Sequence, residues 1–108
     1  MNTRIVLLSV TLAAFLAGAG LAADASAGKA VYDKSCKSCH GADGAPNPAV
    51  AKMMKVEMKD LKAPDVQSRS DADLKKVVTA GEGKMKAMPA VSGAALDDCI
   101  AYMRGLKK

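Results

Sequence analysis

Two cysteines three residues apart, with a histidine directly after the second, lie at Cys36-Lys37-Ser38-Cys39-His40. On a turn of helix, positions i, i+3 and i+4 share a face. Two thiols so placed reach the two vinyl groups of one porphyrin and form thioethers, and the histidine offers the iron a ring nitrogen as a proximal ligand. Cys-x-x-Cys-His is the attachment signature of a c-type haem. It constrains the fold because the chain has little else to build a core on. There is no Trp, the one Phe is Phe15, and the two Tyr are Tyr32 and Tyr102. A small domain of this kind needs a staple. Three cysteines do not form a paired disulfide framework, whereas a covalent haem supplies a large flat apolar body for short helices to pack around.

The first residues set the compartment. Residues 1–23 run from Met-Asn-Thr-Arg through an apolar stretch, Ile5 to Leu16, into a Gly/Ala-rich end. One early positive charge, an apolar centre and small residues at the end describe a cleaved secretory signal peptide. An uncleaved membrane anchor is the rival reading, since 5–23 is nearly long enough to span a bilayer. Ser9, Thr11 and the small-residue end suit a leader better. The expected organisation is a signal peptide, 1–23, followed by one working domain, 24–108, in the bacterial periplasm. With Lys+Arg 16 against Asp+Glu 11, the net charge is +5. Basic character suits acidic partners. Nucleic acid is a poor candidate, because no binding motif is present.

The remaining pattern is helical throughout. Asp24 to Ser35 reads as a helix running into the cysteine pair. Residues 41–48 form a loop by composition, and Pro48 opens a second helix to about Met58, with a weakly defined face. Lys62-Ala63-Pro64-Asp65 breaks the chain. Ser70 and Asp73 resemble a capping box, with Leu74, Val77 and Val78 on one face and Gly81 as the stop. Ser92 caps the last helix, whose stripe is Leu96, Cys99, Ile100 and Met103. The fold class is therefore all-α, short helices packed around a covalently attached haem. Cys99 is expected to be a buried inert thiol, and Met53, Met54, Met58 and Met103 to be filler rather than copper ligands. A thioredoxin-like dithiol would need a strand–helix context that is missing. A zinc site would need a fourth ligand, for which Cys99 is the one soft candidate.

On Cys36, Cys39 and His40, together with Gly28, Tyr32 and Tyr102, the chain resembles the mono-haem class I cytochromes c from Asp24 to Leu106. Gly28 and Tyr32 match the Gly-x-x-x-aromatic of that family's first helix, and Tyr102 the aromatic of its last. The resemblance implies that these helices cross beside the haem, with Gly28 and Ala101 small enough to permit it. It also implies a methionine as the sixth iron ligand, on the loop before the last helix. Gly81-Glu82-Gly83-Lys84-Met85 matches the family's Gly-x-Gly-x-Met, and the spacing from Met85 to Val91, Ser92, Leu96, Cys99 and Tyr102 needs no gap. Met88-Pro89 matches its common Met-Pro. Loop length favours Met85; Met88 stays open, since Lys86 stands where the family often has Pro. A backbone carbonyl at Pro48 or Pro46 is implied as partner for the second His40 nitrogen. The implied function is a one-electron carrier, not an enzyme, with one haem c and no small-molecule substrate, working between redox partners with acidic docking surfaces. Lys37, Lys84 and Lys86, which flank the ligand segments, would steer the docking. An open-site haem enzyme and a fixed module of a respiratory complex are the competing functions.

Overall fold

The computed structural model describes residues 22–106. Six helices follow in order: α1 (Ala25–Ser35), α2 (Lys37–His40), α3 (Pro48–Met54), α4 (Pro64–Gln67), α5 (Asp71–Ala80) and α6 (Gly93–Gly105). Among the described residues there is no β-strand, only an isolated bridge between Glu82 and Met85. The all-α reading holds. The leader reading falls largely on residues 1–21, outside the described residues, and no described helix is long and apolar enough to cross a membrane.

The most extensive helix contact is between α1 and α6. Asp24 starts α1 by accepting from the backbone N–H groups of Ser26 and Ala27, which satisfies donors that a helix start leaves unpaired. Asp98 of α6 in turn accepts from the Asp24 N–H at 2.8 Å. Gly28 is the point of closest approach. A Cβ there would lie 1.9 Å from the Asp98 carbonyl oxygen and 3.0 Å from the Cys99 nitrogen. The expected glycine at the crossing is thus met by the α6 backbone at Asp98–Cys99. The core is Tyr32, Val66, Leu74, Val91 and the α6 stripe Leu96, Cys99, Ile100 and Met103, all buried. Tyr32 and Tyr102 stack in a tilted pair with centroids 5.1 Å apart, a favoured aromatic geometry.

Four local expectations need correction. The second helix stops at Met54, not Met58, because Lys55 turns left-handed at φ 53°. The Lys55 and Val56 N–H groups fold back onto the carbonyls of Lys52 and Ala51, a Schellman-type stop. Pro64 does not simply break the chain; it takes the first position of the short helix α4, where its missing N–H is not needed. At α5 the Ser70 hydroxyl caps the Asp73 N–H at 3.1 Å, but the Asp73 carboxylate goes to Arg69 at 2.6 Å instead of closing a box. Ser92 occupies the α6 N-cap position without a side-chain capping bond.

Candidate functional site

The attachment turn begins where α1 ends. Cys36 breaks helical geometry at φ −122°, ψ −33° while its N–H still reaches the Tyr32 carbonyl. The next turn, α2, restarts there, with the N–H groups of Cys39 and His40 both directed to the Cys36 carbonyl. Cys36, Cys39 and His40 therefore stand on one turn, each half-buried. Tyr32 supports that turn from below. Its hydroxyl donates to the Gly41 carbonyl at 2.7 Å and the His40 carbonyl at 3.3 Å, and burial pushes its pKa up. On the far side the chain folds back sharply. Gly41 has φ 71°, and a Cβ there would lie 2.3 Å from the Ala45 carbonyl oxygen. Asn47 closes the loop by bonding the Cys39 and Ser38 carbonyls and caps α3 through its side chain.

The chemistry of the turn follows from burial. Desolvation holds the His40 pKa below its usual value, so the ring is neutral, as a metal ligand must be. Its Nδ1 is buried without any hydrogen-bond partner. The Pro48 or Pro46 carbonyl expected there is therefore not engaged. A buried orphan nitrogen calls for an explanation, and a ring that completes its bonding on a bound group provides one. Cys36 lies against Cys99 of α6, and that pairing together with burial pushes the Cys36 thiol up. A redox dithiol would need a lowered thiol pKa, so the dithiol reading loses support. Among the described residues no three His, Cys, Asp or Glu side chains converge on a metal position, so the zinc reading of Cys36, Cys39, His40 and Cys99 gains no support. Two half-buried thiols and one half-buried, neutral imidazole on a single turn do fit a covalently held haem.

The segment from Gly81 to Met88 carries both thioether candidates. Gly81 takes φ 80°, where a Cβ would lie 2.7 Å from the Met85 carbonyl oxygen. Glu82 and Met85 exchange backbone hydrogen bonds at 3.1 and 2.9 Å, which closes a tight turn around Gly83. Met85 sits half-buried at the neck of that turn. Met88 is tied on both sides: its N–H reaches the Val78 carbonyl at 2.7 Å, and its carbonyl accepts from Val91 at 3.0 Å. Its side chain packs against the buried cluster, as does Cys36. The attachment turn and the Met88 segment thus meet one core.

Two pins on this loop were not foreseen. Lys84 Nζ donates to the Met54 carbonyl at 2.6 Å and the Lys55 carbonyl at 3.3 Å, where a cation suits a helix C-terminus. Arg69 grips Glu82 with two parallel bonds of 2.9 Å. Arg69 also holds Asp73, four residues on, across the N-cap of α5; the link to Glu82 has no local signal.

An all-α fold in which a helical turn presents Cys-x-x-Cys-His against a shared core defines a protein of the covalent-haem class. The family described as cytochrome c oxidase, cbb3-type, subunit III matches residues 23–103. The chain is also 35% identical over 107 residues to cytochrome c-555 of Chlorobaculum tepidum, with 92% of each chain covered. The chain belongs to the cytochrome c family. It is an electron-transfer protein rather than an enzyme, and the family binds haem c covalently.

Proposed function

We propose that this chain is a periplasmic one-electron carrier holding one haem c. Cys36 and Cys39 form the thioethers, His40 is the proximal ligand, and a methionine of the Gly81–Met88 loop is the distal one. The observation that carries the reading is the neutral His40 on the cysteine turn, with its Nδ1 buried and unpartnered. Bound haem supplies an Fe(III)/Fe(II) couple. The chain's own residues orient it, exclude water and choose the axial donors. Loop length points to Met85. Packing points to Met88, whose side chain joins the buried cluster, and we take Met88 as the ligand with Met85 as the alternative. With both axial positions filled, no open site remains for substrate. Residues 1–23 direct export.

The test is an absorption spectrum of the protein exported with haem-maturation machinery. Wild type is expected to show covalent haem and, when oxidised, the weak far-red band of methionine ligation. Haem removable by acid extraction would refute the attachment reading, and rapid carbon monoxide binding by the reduced protein would favour an open-site haem protein instead.

The partner is an acidic redox protein. Lys37 and Lys86 are exposed, and Lys84 is exposed although its ammonium also caps α3. Met53 adds an exposed apolar side chain, 75% accessible, between Lys52 and Lys55. Electron transfer to such a partner should slow as ionic strength rises. A rate indifferent to salt would remove the steering role of these lysines. The match to an oxidase subunit supports a second reading, a module fixed to a respiratory complex. Recovery of the haem protein from the soluble periplasmic fraction separates the carrier from the fixed module, which would sediment with membranes.

A further inference from the structure

We infer that Arg69 is a positioning residue for the distal iron ligand, locking the Gly81–Met85 turn onto the corner between α4 and α5. The inference rests on the methionine ligation proposed above. Arg69 lies between α4 and α5, on no helix. Its Nε donates to Asp73 Oδ2 at 2.6 Å, its Nη1 to Glu82 Oε2 at 2.9 Å and its Nη2 to Glu82 Oε1 at 2.9 Å. The two bonds to Glu82 are the parallel fork that fixes direction as well as distance. Glu82 is in turn joined to Met85 by backbone bonds in both directions. A continuous hydrogen-bonded path therefore runs from the α4–α5 corner, through one guanidinium, to the segment that carries Met85 and leads to Met88.

The corner itself is anchored. Arg104 of α6 donates from Nη1 to the Gln67 carbonyl at 2.7 Å and from Nη2 to the Arg69 carbonyl at 2.6 Å. It also holds Asp71 Oδ1 through Nη2 at 2.7 Å and Nε at 3.1 Å. Arg104 shares α6 with the buried stripe of the core. The distal loop is thus referenced to the helix that forms the core wall, not to a free surface. The contrast is Lys29–Asp33, a single i, i+4 contact within α1 that restrains nothing beyond its own helix. Arg69 also holds the Glu82 and Asp73 carboxyls below their usual range, in keeping with ionised partners.

An added ligand enters the sixth position only when the methionine loop opens, so its apparent affinity scales with the open fraction. Loss of the Arg69 fork should raise that fraction. The probe is imidazole, titrated into the oxidised holoprotein. Arg69→Gln and Glu82→Gln are each expected to bind it about fivefold tighter than wild type. The double variant should gain little beyond either single one, because both remove the same contact. Arg69→Lys should fall between, keeping the charge but losing the fork. Lys29→Gln, which removes a surface ion pair away from the loop, should leave imidazole affinity unchanged. If the Arg69 and Glu82 variants melt earlier yet bind imidazole as wild type does, Arg69 is merely structural and the inference fails. If wild type shows no far-red band, methionine ligation fails and takes this inference with it. Glu82→Gln is nearly isosteric at a half-exposed side chain, so it keeps the test decisive should Arg69→Gln fold poorly.

Discussion

Met88→Ala is expected to abolish the far-red band of the oxidised protein and lower its reduction potential by on the order of 0.1–0.3 V, part of the roughly 0.8 V that axial ligands span. A thioether is a soft, neutral donor that favours the ferrous state over the ferric. Water, hydroxide or a lysine amine in its place favours the ferric state. The same variant should let the reduced protein take up carbon monoxide, since the sixth position is then weakly held. Met85→Ala should leave the band in place and shift the potential far less, because Met85 shapes the neck of the turn through its backbone, which alanine keeps. The opposite outcome, with the band lost only in Met85→Ala, would reinstate the loop-length alignment and leave the electron-carrier function standing. Retention of the band in both single variants would end methionine ligation from this loop as an account of the iron.

Gly28→Ala should be the most damaging single methyl group that can be added to this chain. Its Cβ would sit 1.9 Å from the Asp98 carbonyl oxygen and 2.4 Å from its carbon, inside any van der Waals contact. The obstacle is α6 backbone, which cannot swing aside as a side-chain end would. The two helices must separate, and separation loosens the Tyr32–Tyr102 stack and the Cys36–Cys99 contact together. We expect a loss exceeding about 3 kcal/mol, at or above the upper end for overpacking. For a domain of this size that is a fall in thermal midpoint of about 12 °C or more, with a lower yield of haem-loaded protein. Gly105→Ala is the control. It lies at the C-terminal end of α6, the other helix of the crossing, and a Cβ there meets nothing within 4 Å, so helix propensity alone should make it neutral or slightly stabilising. Equal melting of the two variants would show that the crossing tolerates a wider separation than its geometry implies.

Much of the candidate site's geometry was legible in the sequence, because its spacing is local. Cys36, Cys39 and His40 share a face through helical spacing alone, and the structure sets them on one turn. Leu96, Cys99, Ile100 and Met103 recur at core spacing in α6, and all are buried. Gly28 and Tyr32 stand four apart on α1, and both are buried. Asp24, Pro48, Ser70 and Gly81 take terminal positions that their own side chains or backbone freedom prepare them for.

What only the tertiary structure decided involves partners far apart in the chain. The α3 helix ends four residues earlier than its pattern allows because Lys55 turns left-handed, and Lys84, nearly thirty residues on, bonds the carbonyls exposed there. Arg104 reaches back to Gln67 and Arg69, and Arg69 reaches forward to Glu82. No periodicity encodes these contacts, since each depends on where the loops are brought by the crossing of α1 and α6. Our proposal of Met88 ahead of Met85 rests on the same kind of contact. Spacing counts residues along a loop, whereas the packing of the Met88 side chain against the core is a tertiary contact.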